Sequence, residues 1–571
     1  MQIRKFLPIT DWIKTYDRSM LSGDLSAGLT VGVMLIPQGM AYSMLAGLPP
    51  IYGLYASIVP LILYALFGTS RQLAVGPVAM VALLIATGVG AIVPADSVEF
   101  IAYAILLALM VGIIQLLMGM LRLGFLVDFL SHPVISGFTS AAALIIGLSQ
   151  LKHLLGLDIP RSSHIHEIIG HVAANISDIH LPTILLGLGA IAVLLAIKKF
   201  KIRIPGALVV VILGTLAVYL GKLDGMGMKI VGDVPSGLPS FGIPLMEWSA
   251  IQALFPMALT ISLVGFMESF AVAKSIQAKH KNYEVDANQE LIALGVANIG
   301  GSFFQAFPTT GGFSRTAVND QAGAQSGMAS LISAALIMVT LLFLTPLFYY
   351  LPKAVLAAII MVAVFGLIDI KEVKHLWHAD RQDLMMLLAT FAATLTLGIE
   401  EGIAVGVGLS LLMVIIRTAY PHMARMGKMP EADIFRNVGR FEEAEEHPEY
   451  LVVRLDAPLY FANANRVRSF IEKQQKDKHG TLKGILFNME AVNGLDSSGA
   501  HMLAELAEDL QRDGIALYLT DIKGPIRDIM HRHHLPEALG SGRIYTTLEE
   551  AWHCLNGRDP KLATSYWKQI G

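Results

Sequence analysis

Two charged side chains stand inside apolar stretches, where a charge is costly. Arg315 occurs in GGFSRTAVND and Glu268 in ISLVGFMESFAVAK. A charged residue within a membrane is a functional candidate by default. We expect Arg315 to place a fixed positive charge beside a bound anion, and Glu268 to carry a coupling proton. The structural alternative is an ion pair between the two side chains, either permanent or broken when Glu268 takes up a proton.

Two uncharged polar side chains occur in another apolar stretch, MLIPQGMAYSM. Pro37 interrupts the hydrogen bonds of a helix and leaves a backbone carbonyl free. Gln38 and Tyr42 lie four residues apart and share one face of that helix. We expect both to line a binding site through hydrogen bonds. The alternative is that they join neighbouring helices, as polar side chains do in membranes.

The elements that must hold these residues are membrane-spanning helices. Of 571 residues, 54% are apolar and 15% are charged, whereas soluble domains have about 45–50% and 25%. The mean hydropathy is +0.59, and a spanning helix needs about 20 apolar residues. Fourteen such segments are predicted, at 26–43, 50–67, 77–93, 101–121, 126–149, 181–198, 205–221, 252–274, 286–303, 313–322, 327–346, 352–369, 383–398 and 401–418.

Two of these segments, 77–93 and 313–322, are poor candidates for a full span. The first follows Val-Gly-Pro, and the second is short, polar and preceded by FPTTGG. Each is third in a set of seven, and interrupted helices at matching places indicate an inverted-repeat transporter with a midplane site. Helix N-termini carry a partial positive charge that suits an anion. The sequence therefore predicts an α-helical polytopic membrane protein, a 7+7 inverted repeat with two half-helices.

Lysine and arginine concentrate in alternate loops, starting with the basic N-terminal residues. Short loops with this enrichment are typically cytoplasmic. Because the number of predicted spans is even, we expect both termini in the cytoplasm and the chain in the cell's inner membrane.

Charged residues become denser from about residue 430 onward, at the density of a soluble domain. Strand patterns such as GILFNMEAV alternate there with helical patterns such as SSGAHMLAELAEDLQRDG, which predicts a small α/β domain with a mixed or parallel sheet. The predicted organisation is a cytoplasmic N-terminal segment, a transmembrane domain, an irregular linker, the α/β domain and a tail, at 1–24, 25–420, 421–447, 448–557 and 558–571.

Other functional classes find no support in the sequence. The net charge of -3 gives no indication of nucleic-acid binding. A single cysteine, Cys554, excludes an intramolecular disulfide and a cysteine-rich metal site. The chain has no P-loop, no G-x-S-x-G and no His-Glu-x-x-His motif. We therefore expect no enzyme activity, no cofactor and no metal site.

The chain resembles the SulP family of anion transporters over nearly its whole length. The stretch DLSAGLTVGVMLIPQGMAYSMLAGLPPIYGLYASIVPLILYALFGTSRQLAVGPVAM is similar to the family's opening helices, and NQELIALGVANIGGSFFQAFPTTGGFSRTAVN to a second landmark. LFNMEAVNGLDSSG resembles the sheet-to-helix turn of a STAS domain. Within the family, GLPPIYGLY, FMESFAVAKS and NQELIALG are most similar to plant-type sulfate permeases.

This resemblance implies a core domain that carries the anion, a gate domain that forms a homodimer contact, and elevator-like motion of the core against the gate. It implies Glu268 as the proton-coupling group. Sodium-coupled relatives have a second acidic residue one turn further on, where this chain has Val272, which argues against sodium. The implied anion site consists of residues from the first, third and tenth segments, namely Gln38, Tyr42, Pro77, Val78, Ala79, Phe313, Ser314 and Arg315.

Ser497 is a candidate regulatory residue through the same resemblance. In STAS proteins of sigma-factor control the first serine of the D-S-S-G turn is phosphorylated, and that serine is Ser497 here. The alternative is that Ser497 or Ser498 caps the following helix, because serine is favoured at helix N-termini. A STAS domain could also bind a cytoplasmic partner.

The function expected from these residues is secondary active import of sulfate, coupled to protons. Bicarbonate or dicarboxylate transport by the same pocket is the alternative within the class. An uncoupled anion channel, or a membrane-anchored sensor that signals through the STAS domain, are the alternatives outside it.

Overall fold

The structure is a computed structural model, and it describes residues 7–14, 16–95, 97–125, 131–159, 165–200, 205–280, 283–430, 432, 434–478, 480–540 and 542–557, without the side chains of residues 399 and 400. The tail predicted at 558–571 lies outside the described residues. The chain divides into two compact units, Met1–Ser410 and Leu411–Gly571.

The first unit is helical. After a short helix, Ile9–Trp12, its further elements follow in chain order: α1 Arg18–Ala46, α2 Pro50–Tyr55, α3 Val59–Phe67, β1 Val75–Gly76, α4 Ala79–Gly90, α5 Val98–Met120, α6 His132–Ser149, α7 Leu151–Leu155, α8 Ile165–Ala174, α9 Leu181–Lys199, α10 Gly206–Gly221, α11 Trp248–His280, α12 Ala287–Ser302, β2 Thr310–Gly311, α13 Phe313–Gln321, α14 Met328–Val339, α15 Lys353–Phe365, α16 Ile370–Ala379, α17 Arg381–Thr396 and α18 Ile399–Ala419, of which the residues up to Ser410 belong to this unit.

The lengths of the apolar helices are those expected of membrane-spanning segments. Within the described part of the chain, nine helical segments are long and apolar enough to span a membrane, and α4 and α10 are shorter apolar helices. A helix lies in each of the fourteen predicted segments. The predicted fold class, an α-helical membrane protein with two half-helices, is therefore confirmed.

The helix boundaries differ from the sequence prediction in several places, mainly where a long apolar segment is not one continuous α-helix. The second segment is divided into α2 and α3, because Pro60 stands in the first turn of α3. The eleventh segment leaves α-helical geometry after Val339 and continues as a π-turn and a 3-10 turn up to Phe348. Two amphipathic helices, α8 and α16, occupy loops that the hydropathy pattern left without structure.

The helices of the first unit form two groups. In the first group, α1 to α5 pack with α11 to α14. In the second group, α6 packs against α15 and α17, and α9 against α10 and α15. Small residues allow helices of the first group to approach closely: a Cβ atom at Gly112 of α5 would lie 2.6 Å from the backbone nitrogen of Ile299 of α12. The two groups correspond to the core and gate expected from the resemblance.

The second unit contains one six-stranded sheet, built from β3 Met423–Lys428, β4 Phe435–Asn437, β5 Tyr450–Leu455, β6 Gly484–Asn488, β7 Ala516–Thr520 and β8 Ile544–Tyr545. The strand order is β4-β3-β5-β6-β7-β8. Strands β5 to β8 are parallel, and β3 is antiparallel to both β4 and β5. The helices of this unit are α19 Ala464–Asp477, α20 Ser497–Arg512, α21 Gly524–Arg532, α22 Leu535–Leu539 and α23 Leu548–Leu555.

Successive residues of β5 and β6 enter two different cores, as the alternation of side chains along a strand requires. Val453 and Phe487 pack into the larger core with α19 and α20, whereas Val452 and Leu486 pack with α23. Helices thus cover both faces, and the predicted α/β domain with a mixed sheet is confirmed.

Two expectations for this unit are corrected. The segment 421–447, predicted as an irregular linker, contains β3 and β4, whose pairing with β5 is long-range and leaves little hydropathy signal. The alternative role of Ser497 as a helix cap belongs instead to Asp496, whose carboxylate accepts a hydrogen bond from the Gly499 amide at 2.8 Å. Ser497 is the exposed first residue of α20.

Candidate functional site

The two half-helices, α4 and α13, are joined by the short strands that precede them. β1 pairs with β2 in antiparallel register, with Val75 opposite Gly311 and Gly76 opposite Thr310. Each half-helix begins within three residues of its strand. The pairing therefore brings two helix N-termini together that are far apart in the sequence.

Neither N-terminus is capped by a side chain of the residues that the structure describes. The cap positions are Val78 and Gly312, and the first hydrogen bonds within the helices are those from Ala82 to Val78 and from Thr316 to Gly312. The preceding amides have no intrahelical partner, as at every helix start. These N–H groups and the partial positive charge of the helix ends are suited to an anion.

A cavity of about 630 Å³ lies beside these N-termini. Its wall contains every residue that the sequence analysis assigned to the site except Pro77, namely Gln38, Tyr42, Val78, Ala79, Glu268, Phe313, Ser314 and Arg315. Helices α6 and α15 of the second group also line the cavity, mostly with apolar side chains such as Val134, Phe138 and Val364. The cavity thus lies between the two groups.

Arg315 is the charged centre of the cavity wall. Its side chain is only 2% exposed, and Nη1 donates a hydrogen bond of 2.6 Å to the carbonyl oxygen of Pro77. Nε and Nη2 are buried and have no hydrogen-bond partner among the described residues. Buried donors without partners are rare because they are costly. Two guanidinium nitrogens, which carry three N–H groups, therefore remain for a ligand.

Glu268 lines the same cavity from α11. In the described part of the chain it makes no ion pair with Arg315, so the permanent pair considered from the sequence is not formed. The neighbouring Ser269 ties α11 to β2, since its Oγ accepts a hydrogen bond from the Gly311 amide at 2.7 Å and lies 2.5 Å from Thr310 Oγ1. Glu268 is thereby held beside the half-helices.

Gln38 and Tyr42 face the cavity from the middle of α1, after Pro37. Both side chains are buried, and Gln38 Oε1 has no hydrogen-bond partner within the described residues. The side-chain oxygen of Gln38 therefore does not join neighbouring helices through a hydrogen bond.

Further hydrogen bonds fix the half-helix α13 to the chain that leads into β1. The Ala74 amide donates to Thr316 Oγ1 at 3.1 Å, and Asn319 Nδ2 donates to the carbonyl oxygen of Gln72 at 2.8 Å. These residues could not be assigned to the site from the sequence, because only the pairing of β1 with β2 brings them together.

Two buried carboxylates were also missed. Glu290 accepts hydrogen bonds from Tyr64 Oη, from the amide and hydroxyl of Thr69, and from the Ser70 amide, at 2.6–3.2 Å. Asp24 accepts from the Gln325 and Ser326 amides and from Ser326 Oγ. The signal for Glu290 was available, because it is an acidic residue within a predicted span. Neither carboxylate lines the cavity, so we regard both as structural.

Comparison with known proteins places the chain in a family. A family model described as the sulfate permease family matches residues 21–390, and one described as the STAS domain matches residues 442–551. The probable sulfate transporter 4.2 of Arabidopsis thaliana is 41% identical over 595 residues, with coverage of 100% of this chain and 87% of that protein. The chloroplastic sulfate transporter 4.1 of the same plant is 40% identical over 568 residues, covering 96% and 82%.

Solved structures agree with this placement. Murine solute carrier 26 family member A9, an anion transporter in the inward-facing state, superposes with a TM-score of 0.90 at 27% identity, covering 97% of this chain and 94% of that one. The transmembrane domain of the cyanobacterial bicarbonate transporter BicA superposes with a TM-score of 0.60 at 24% identity, covering 70% and 98%, and shows a shared fold. The chain therefore belongs to the sulfate permease family, as a multi-pass membrane transporter of an inorganic anion with a STAS domain, and is not an enzyme.

Proposed function

We propose that the protein carries out secondary active transport of sulfate, coupled to protons, by an elevator mechanism. The observation that carries this proposal is the placement of Arg315, whose buried guanidinium lies at the start of one half-helix and is hydrogen-bonded to the start of the other. A tetrahedral oxyanion presents only acceptors, and it matches guanidinium and backbone donors well. The names of the relatives, which are sulfate transporters, support sulfate as this anion.

The proposed anion site is the wall formed by the first helix and the two half-helix starts. Gln38 and Tyr42 bind through side chains, and Val78, Ala79, Phe313 and Ser314 through backbone amides at or near the helix starts. Pro77 contributes indirectly, because its carbonyl oxygen holds Arg315 in place.

Glu268 is the proposed proton carrier. It lines the anion cavity and is not held in an ion pair with Arg315 within the described residues, so its charge can change without dismantling the site. Protons that enter with a dianion reduce the charge moved against an inside-negative potential, which is about 2.3 kcal/mol per charge per 100 mV. Val272, one turn further along α11, also lines the cavity and supplies no oxygen ligand for sodium.

Elevator motion is supported by the division of the cavity wall between two helix groups. The polar wall belongs to the first group, in which β1, β2 and the Arg315–Pro77 bond join both half-helices. The second group presents apolar side chains, along which the first group can slide without losing hydrogen bonds. The similarity to an anion transporter in an inward-facing state supports alternating access.

The proposal also includes the membrane, the orientation and the partners of the transporter. We place the chain in the cell's inner membrane with both termini in the cytoplasm, supported by the distribution of lysine and arginine in its loops. We further propose a homodimer and a cytoplasmic partner for the STAS domain. The exposure of Ser497 at the start of α20 makes it accessible to a kinase.

The test is uptake of radiolabelled sulfate by proteoliposomes that contain the purified protein. We expect an inward proton gradient to drive accumulation, and unlabelled sulfate to compete better than bicarbonate or succinate. Stronger competition by bicarbonate or succinate would assign the site to those anions. Sulfate flux that equilibrates without accumulation under any proton gradient would indicate an uncoupled channel.

A further inference from the structure

A second cavity of about 520 Å³ lies at the Ala46 end of α1, opposite to the end that begins at Arg18. Three basic side chains line it, Lys152, His153 and Lys353, together with Met44, Leu48 and Val231. We call this cavity the basic vestibule. All three basic residues are partly buried, and the sequence analysis assigned none of them.

A backbone pairing fixes one side of the basic vestibule. The Lys353 amide donates to the carbonyl oxygen of Lys229 at 3.0 Å, and the Val231 amide donates to the carbonyl oxygen of Leu351 at 2.8 Å. These bonds hold the segment after α10 against the start of α15. Lys229 and Lys353 are therefore kept side by side rather than on independent flexible loops.

The carboxylate of Asp158 lies next to these lysines and is affected by their positive charge. Lys229 Nζ lies 2.7 Å from Asp158 Oδ1, and the Asp158 side chain is 95% exposed. The hydrogen bond and charge of Lys229, with further contributions from Lys152 and Lys353, hold the pKa of Asp158 below its usual value although partial desolvation opposes this. Lys229 thus holds the carboxylate next to Ile159, a residue of the vestibule wall.

The basic vestibule and the anion cavity are lined by neighbouring residues of α1. Tyr42 lines the anion cavity and Met44 lines the vestibule. Because residues two positions apart point to nearly opposite sides of a helix, the two cavities contact different faces of α1. Leu48, which is 3% exposed, lines the vestibule just beyond the end of α1.

We propose that the basic vestibule is a second oxyanion-binding site, which captures the anion at the outer face before it reaches the cavity at Arg315, and that the Asp158 carboxylate competes for it. The inference rests on the proposed function and topology, which place the Ala46 end of α1 outside. A cleft lined by charges of one sign concentrates counter-ions and raises their rate of association. The ligand is defined by chemistry as a small oxyanion, with sulfate as the probe.

Sulfate kinetics measured separately at each face test this proposal. Right-side-out and inside-out membrane vesicles, prepared from the same cells, give a KM for each side. Lys353→Gln is expected to raise the outer KM by about tenfold at low ionic strength, with an unchanged inner KM, and Asp158→Asn to lower the outer KM. Lys222→Gln, which removes an exposed lysine charge just after α10 and outside the vestibule lining, is the matched control. An equal change at both faces, or none, overturns the proposal.

A binding measurement that does not depend on transport separates this proposal from the proposed function. Acetylation of Lys353 by an amine-reactive reagent is followed by mass spectrometry on the full-length protein, in sulfate or in gluconate of equal ionic strength. Sulfate is expected to slow acetylation of Lys353 severalfold and to leave Lys222 unaffected. Equal acetylation rates of Lys353 in the two salts would overturn the proposal that the vestibule binds sulfate. Absence of sulfate uptake by the wild type would overturn the proposed function alone.

Discussion

The guanidinium of Arg315 and the carbonyl oxygen of Pro77 are joined by a hydrogen bond of 2.6 Å across 238 positions of the sequence. Each residue stands at the beginning of a different half-helix. The bond makes the charge carried by α13 part of the N-terminus of α4. Because Nε and Nη2 of Arg315 lack partners among the described residues, the same guanidinium can hold both half-helices and a ligand.

Removal of this charge should strongly reduce transport without unfolding the protein. Arg315→Gln is expected to reduce sulfate uptake by about 100-fold, because a desolvated charge contact typically contributes 2–5 kcal/mol. Arg315→Lys keeps the charge but lacks the planar fork of donors, so it should retain part of the uptake. Uptake into proteoliposomes measures both, with size-exclusion chromatography as the control for folding. Near wild-type uptake by a well-folded Arg315→Gln protein would exclude Arg315 from the site.

The position of the guanidinium should matter as well as its charge. A Cβ atom at Gly312 would lie 2.8 Å from Arg315 Cζ, so Gly312→Ala is expected to displace the guanidinium and raise the KM for sulfate severalfold. The displaced group is the end of a flexible side chain, and the Tm should therefore change little. Gly90→Ala is the matched control, because a Cβ atom there meets nothing within 4 Å. Equal KM values for the two variants would argue against contact between Arg315 and the anion.

Glu268→Gln should separate coupling from binding. The amide cannot exchange a proton, so we expect loss of accumulation driven by a pH gradient, with sulfate–sulfate exchange at equal pH preserved. Uptake of labelled sulfate with and without the gradient measures the two activities in one preparation. Normal gradient-driven accumulation by this variant would rule out Glu268 as the proton carrier.

Glu290 should behave differently from Glu268, although both are acidic residues in helices. Its carboxylate accepts four hydrogen bonds, and the amide of Glu290→Gln leaves at least one buried donor unsatisfied, at a cost of about 1–3 kcal/mol. We expect a lower Tm with an unchanged KM for sulfate. The exposed Glu284, on the connection before α12, gives the control variant Glu284→Gln. An unchanged Tm in Glu290→Gln would contradict the structural role.

In the STAS domain, Asp496 rather than Ser497 should hold the start of α20. Asp496 accepts hydrogen bonds from the Gly499 and Phe461 amides, and loss of a cap typically costs about 1 kcal/mol. Hydrogen exchange of the full-length protein should therefore quicken in peptides that contain these two amides in Asp496→Ala, and not in Ser497→Ala. Faster exchange in Ser497→Ala than in Asp496→Ala would instead indicate that Ser497 caps the helix.

The sequence predicted the positions of the helices better than it predicted the contacts between them. Apolar run length predicts α5 or α9, and the glycines before Arg315 mark an interrupted helix. The pairing of Val75 with Gly311 could not be predicted, because a two-residue strand has no periodicity. For the same reason the residues that fix α13, Thr316 and Asn319, were not identified.

Position within a predicted span marked some of the charged residues but not all of them. Arg315 and Glu268 were predicted from it, whereas Glu290 lies in a predicted span and was missed. Asp24 lies just before the first predicted span, next to the polar N-terminal segment. In β3, the buried residues Ala424 and Met426 flank the basic Arg425 in a strand of only six residues. The place of this strand in the sheet depends on backbone pairing with β5, which the composition does not reveal.

The most direct measurement is a crystal structure with selenate in place of sulfate, because selenium can be located by anomalous scattering. The account predicts a selenium peak in the cavity between the two helix groups, with selenate oxygens within hydrogen-bond distance of Arg315 and of backbone amides at the starts of α4 and α13. A peak bound elsewhere in the transmembrane unit, with this cavity empty at saturating selenate, would contradict it.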